Sequence, residues 1–175
     1  MIEVEVKARA REDTAERIAA LGAVPIAVET HRDIYFSSPH RDFRKSDEAL
    51  RIRIKEDGAR LTYKGPKLDG TTKSRREITV EIDDAEQMQE ILESLGFVPS
   101  ATVCKRRSKY SLEGAVLALD EVEGLGWFVE VEMAASGGDG SYEEQRLKVI
   151  SILKRLGLDE SIRKSYPQLL DEGRR

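Results

Sequence analysis

The chain has 175 residues, 39% hydrophobic and 35% charged, which is enough apolar material for one core in a single domain, 1–175. Its 29 basic and 33 acidic residues give a formal net charge of −4, which argues against a nucleic-acid partner but leaves room for a local basic pocket. Cys104 is the only cysteine, which excludes a disulfide framework and a thiolate metal cluster and fits a reducing cytoplasm; no apolar run nears the ~20 residues of a membrane span, and the first residues enter a strand directly, so neither a membrane partner nor a signal peptide is expected.

In chain order, "MIEVEVKA" opens a strand over 2–9, with Glu3, Glu5 and Lys7 on one face and Ile2, Val4 and Val6 on the other. A helix follows over 12–21, stopped by Gly22, and then come strands at 28–36, 49–56, 59–65 and 73–82. Asp84 and Gln87 predict the start of a second helix over 85–95, with Gly96 at its end. Strands at 102–110, 115–122 and 127–133 complete the set. "AASGGDGS", 134–141, reads as a flexible connection into a third helix. Ser141 and Glu144 form that helix's expected capping box; it runs to Leu156, and a short helical tail begins near Asp159. Shifting the first segment by 74 residues lays "EVEVK…LG" on "EITVE…LG". That echo predicts an internal two-fold repeat, about 1–72 and 73–133, followed by C-terminal helices.

The strands share one anomaly. Arg51, Arg53 and Lys55 occupy one face of 49–56, and Lys105, Arg107 and Lys109 one face of 102–110. Thr62 and Lys64 share a face, as do Lys73, Arg75, Glu77, Thr79 and Glu81, while Asp120 and the Glu130–Glu132 pair mark the last two strands. A sheet with one wet face would scatter its charges, whereas here like charges cluster by strand, which costs self-repulsion along a face. Eight strands suffice to close a barrel. The expected fold is therefore α+β, a closed eight-stranded, mostly antiparallel barrel with a polar lumen and helices packed outside. Arginine and lysine clusters in such a lumen suit phosphate oxygens, and clustered carboxylates suit Mg2+ or Mn2+. Together they imply a metal-bound polyphosphate.

The residues that carry this pattern also carry a family likeness. Glu3-x-Glu5-x-Lys7 resembles the N-terminal signature of the CYTH superfamily of triphosphate tunnel metalloenzymes. "ALRIR", "LTYKGP", "SRREITVEI", "VCKRRSKY" and "LALDEVEGLGWFVEVE" follow in the family's order. "RDIYFSSPHRDFRKSDEALRIR" is most similar to the class IV adenylyl cyclase branch, with Tyr35 where histidine is common. The resemblance implies a triphosphate gripped by Lys7, Arg51, Arg53, Lys64, Arg75, Lys105 and Arg107. It implies two divalent ions on Glu3, Glu5, Asp120, Glu130 and Glu132, with Glu5, Lys7 and Arg53 as the catalytic set. The implied reaction converts ATP into cyclic AMP and pyrophosphate. A triphosphatase acting on inorganic, thiamine or nucleoside triphosphate and a non-catalytic polyphosphate-binding module are the alternatives. Relatives also admit a homodimer.

Several residues are set aside. Lys55, Lys73 and Lys109 sit near strand ends and are expected in solvent, as are Arg76 and Arg106 on the opposite face. Cys104 is expected to be buried as a small apolar residue. Trp127 and Phe128 are expected in the core. His31-Arg32-Asp33 and His40-Arg41-Asp42 spell a kinase triplet, but the chain has no asparagine and is too short for a kinase.

Overall fold

The computed structural model describes residues 2–135 and 139–174, and in it each alternating stretch forms a strand. The first half holds β1 (Ile2–Arg9), α1 (Thr14–Ala20), β2 (Val24–Ser37), α2 (Phe43–Ser46), β3 (Ala49–Lys55) and β4 (Gly58–Lys67). The second holds β5 (Arg75–Ile82), α3 (Ala85–Ser94), β6 (Val98–Leu112), β7 (Ala115–Val122) and β8 (Gly126–Ala135). Two helices follow, α4 (Asp139–Arg155) and α5 (Tyr166–Gly173).

The strands close into an antiparallel barrel in the order β1-β5-β4-β3-β2-β6-β7-β8. Advancing every strand number by four returns the same ring, so β1–β4 and β5–β8 occupy equivalent places in it. The barrel is inverted relative to a water-soluble sheet with a dry interior. Val4, Val6 and Ala8 of β1, with Leu117, Leu119, Val129 and Val131, point outward under Val149 and Ile152 of α4, Leu156 just beyond that helix, and Ile18 of α1. Ile34, Phe36 and Ile52 lie under Leu92 of α3. Full burial of each such side chain stabilises the fold by about 1.5–3 kcal/mol. The helices thus supply the apolar cover that frees the inner face for charge.

Pairing of β1 with β5 is short, limited to Ile2↔Arg76 and Glu3↔Arg75. Beyond it, two loop segments complete the β1 edge. The Lys73 N–H donates to the Glu5 carbonyl at 2.8 Å, and the Ile162 N–H donates to the Lys7 carbonyl at 2.6 Å. A third apolar cluster, Val103, Val122 and Phe128 with Tyr166, lies on the same strand faces as Lys105, Asp120 and Glu130. Tyr166 and further residues of α5 line the lumen beside it.

Asp84 caps α3 as expected, accepting from the Gln87 N–H at 2.9 Å. Gly96 ends that helix at φ +93°, where an added Cβ would stand 3.1 Å from Pro39. The other helix boundaries differ from the sequence expectation. Ser141 lies inside α4 rather than at its cap, because the helix begins at Asp139. The capping box belongs instead to α5, between Ser165 and Gln168. Helix α1 is shorter than 12–21, and α2, which is one turn capped by Asp42, has too few residues to show a period. Of the connection expected over 134–141, residues 136–138 lie outside the described residues. Among the described residues, no helix is long and apolar enough to cross a membrane.

Candidate active site

The lumen is a cavity of about 980 Å³, at the upper end of the range for small-molecule sites. Its charged walls follow from strand parity and register. On β1 and β8, Glu5 stands directly opposite Glu132, and Lys7 opposite Glu130. Glu3, Glu5, Glu130 and Glu132 all line the cavity. Neither Glu3 nor Glu132 has an ion-pair partner among the described residues. Burial pushes both carboxyls up, with neighbouring carboxylates adding to the effect.

The facing strands carry the bases. Arg53 of β3 forks onto Asp33 of β2, with both N–O distances at 2.7 Å. Arg51 approaches the same carboxylate at 3.8 Å, donates weakly to Thr62, and keeps an Nε with no partner among the described residues. Burial opposes the Asp33 charge, but Arg51 and Arg53 outweigh it and hold the carboxyl well below its usual range. On β6, Arg107 forks onto Asp120 at 2.7 Å on both arms and also reaches Glu130. Burial and Arg107 bring the Lys105 ammonium down to about 8, against the pull of Asp120 at 3.0 Å. Lys64 pairs with Glu77 across β4 and β5. Arg75, only 6% exposed, makes no ion pair among the described residues; its Nη1 donates to the Gly65 carbonyl at 3.2 Å.

Ten of the twelve residues predicted for the site line the cavity: Glu3, Glu5, Arg51, Arg53, Lys64, Arg75, Lys105, Arg107, Glu130 and Glu132. Lys7 and Asp120 stand behind the wall. The Lys7 Nζ donates to the Lys164 carbonyl at 2.6 Å and lies 4.1 Å over the Tyr166 ring. Asp120 is saturated by Arg107, Lys105 and the Tyr166 hydroxyl, the last at 2.8 Å.

Other expectations are corrected. Lys73 is not in solvent: its Nζ sits 2.6 Å from Glu5 and 3.8 Å from Glu130, because its backbone completes the β1 edge. Lys55 and Lys109 likewise turn inward to Glu29, at 3.1 and 3.4 Å. Trp127 is 46% exposed, whereas Phe128 is buried. Cys104 is only half-buried. Sequence reasoning missed Glu29, His31 and Asp33. The signal was present, since they alternate on the face of β2 opposite Ile34. Tyr166 has no such signal, because its place depends on how the tail docks.

An oxygen-ligated divalent cation fits this wall in one respect. Glu5 and Glu132 are like charges held face to face in a buried place, with Glu3 on the same face of β1. Among the described residues, no three carboxylate, histidine or cysteine side chains yet converge on a single point. Lys73 and Arg107 hold Glu5 and Glu130 apart from their neighbours.

A closed antiparallel barrel whose lumen carries arginines, lysines and clustered carboxylates defines a class of anion-binding tunnel proteins. The model of the CYTH domain matches residues 1–166, and the chain belongs to that family. A provisionally named adenylate cyclase of Methanocaldococcus jannaschii is 41% identical over 174 residues, covering 97% of this chain and 98% of its own. The solved PH1819 protein of Pyrococcus horikoshii is 43% identical, with a TM-score of 0.91 over 98% of this chain and 99% of its own. A Hippeastrum protein, described as an adenylyl cyclase candidate with a dominant triphosphatase activity, shares the fold at 21% identity. Its TM-score is 0.66 over 98% of this chain and 95% of its own.

Proposed function

We propose that this protein is a divalent-metal-dependent enzyme that holds ATP in its lumen and converts it into cyclic AMP and pyrophosphate. The observation that carries the reading is the placement of Arg75, buried and without an ion pair among the described residues, in the same cavity as the facing Glu5 and Glu132. A buried guanidinium without an acid favours an anion, and Glu132, which faces Glu5 and has no base paired to it among the described residues, favours a cation. A triphosphate chelating Mg2+ or Mn2+ satisfies both.

In this reading Arg51, Arg53, Lys64, Arg75, Lys105 and Arg107 hold the phosphate oxygens. Arginine forks fix the chain's direction, and the lysines act as adjustable point charges. Glu3, Glu5, Glu130 and Glu132 hold the cation, which when bound stabilises charge on the phosphoryl oxygens and activates the attacking hydroxyl. Lys7 and Asp120 support the site from behind unless the 162–166 segment moves. Tyr166 and Leu170 of α5 line the cavity, and an apolar contact there would favour an internal ribose hydroxyl over water as nucleophile. The name of the 41% identical relative points the same way.

The second reading is a triphosphatase, favoured by the activity described for the Hippeastrum neighbour. The same bases would grip the same oxygens, and only the group in line with the reacting phosphorus would differ. Incubating the protein with ATP, tripolyphosphate or thiamine triphosphate and Mg2+ or Mn2+ separates the two. Cyclic AMP with pyrophosphate is the expected product. Orthophosphate without cyclic nucleotide would replace the cyclase with the hydrolase, and binding without turnover would reject both.

A further inference from the structure

We propose that polyphosphate and divalent cations enter this lumen interdependently, and that Lys73 is the side chain that couples them. The inference rests on the reading given under Proposed function and adds the order of events in the same site.

Lys73 is anchored at both ends. Its N–H donates to the Glu5 carbonyl at 2.8 Å, and its Nζ pairs with the Glu5 carboxylate at 2.6 Å and with Glu130 at 3.8 Å. The loop that carries it is fixed. Asp69 accepts from the Thr71 and Thr72 N–H groups at 2.7 Å each, and Arg163 donates to the Asp69 carbonyl at 2.7 Å. The backbone therefore stays in place, while the flexible four-carbon stem lets the ammonium exchange Glu5 for another anion within reach. On the far side of Glu130, Arg107 holds the other oxygen.

Within the protein, then, Glu5 and Glu130 beside Glu132 are paired with Lys73 and Arg107, bases that a polyphosphate would recruit. A divalent ion binding alone must displace Lys73 from Glu5 and leaves a buried ammonium facing a cation. A polyphosphate binding alone draws Lys73 and Arg107 away and leaves Glu5, Glu130 and Glu132 facing one another beside a polyanion. Each ligand by itself strands a buried charge, which is costly. Both together exchange the protein's ion pairs for phosphate–base and metal–carboxylate contacts, so each of these side chains keeps a partner of opposite charge. Such coupling is reciprocal by linkage, so each ligand raises the affinity for the other by the same factor.

The test uses the full chain, Mn2+ followed by electron paramagnetic resonance, and tripolyphosphate with methylene bridges, which cannot turn over. With chelation in protein-free buffer subtracted, the wild-type protein should bind Mn2+ at least about 10-fold more tightly when the analogue is present. Lys73→Gln frees Glu5, so it should bind Mn2+ alone more tightly than wild type and lose most of the coupling. Lys73→Arg keeps the charge and should behave as wild type. Equal wild-type Mn2+ affinity with and without bound analogue overturns the proposal, and this arm does not depend on any variant folding. So does Lys73→Gln that binds Mn2+ no better than wild type. Failure of the analogue to bind under any condition would instead overturn the polyphosphate reading itself.

Discussion

Glu5 and Glu132 face each other across the β1–β8 ladder, both inside the lumen and on strands whose other faces form the main apolar core. Directly opposed like charges destabilise a sheet by roughly 0.2–1 kcal/mol, and burial, which already pushes Glu132 up, adds to that. Their retention makes sense as readiness for a cation. Glu132→Gln should therefore leave the denaturation midpoint unchanged or raise it slightly. On the proposed role of Glu132 in holding the cation, turnover should fall by on the order of 100-fold or more. Paired urea titration and product assays check this. Stability lost with activity retained would return Glu132 to a structural role.

The inverted barrel was legible because strand alternation is a local signal. The faces of β1, β3 and β6 read correctly from Glu3-x-Glu5-x-Lys7, Arg51-x-Arg53 and Lys105-x-Arg107. What escaped depends on partners distant in sequence. Lys73 looks solvated until the short β1–β5 pairing is known, since only that gap brings it onto Glu5. Lys7 looks like a lumen residue until the Lys164 carbonyl and Tyr166 are placed over it. Asp33 was readable by parity, but its importance comes from facing Arg53 across the ladder.

Arg53 shows why loss of activity alone is an ambiguous readout. Arg53→Ala removes a proposed phosphate contact but also strands Asp33, which is 1% exposed and, among the described residues, keeps a single ion-pair partner, Arg51 at 3.8 Å. Breaking a buried pair from one side costs about 3–5 kcal/mol. Arg53→Leu combined with Asp33→Leu should recover most of that stability while still failing to bind tripolyphosphate. Calorimetric binding on the double variant, once its folding is checked by denaturation, isolates the phosphate role. Wild-type affinity there would reduce Arg53 to half of a structural pair.

His31 should give the protein a distinct acid sensitivity. It is 2% exposed, its Nε2 lies 2.7 Å from the Glu29 carboxylate, and its Nδ1 has no partner among the described residues. Burial, with Arg53, Lys105 and Arg107 nearby, lowers its pKa from 6.5 to about 3, so the folded ring is neutral. Glu29, held at about 2, stays ionised through the same range and fixes the Nε2–H tautomer, so Nδ1 is left as an acceptor. Between those two histidine values the unfolded chain binds a proton that the folded chain does not. The contribution is therefore fully present above about pH 6.5 and is lost as the pH falls, at about 1.4 kcal/mol per unit inside the window. Between pH 7 and pH 5 that amounts to roughly 2 kcal/mol. His31→Gln cannot titrate, so the stability of wild type relative to the variant should fall by that amount over the same interval. Urea denaturation of both proteins at pH 5, 6 and 7 reads the difference directly and cancels the titration of the remaining carboxylates. Parallel pH slopes would mean that the ring is protonated in the folded state, with Glu29 as its counter-ion rather than its hydrogen-bond acceptor.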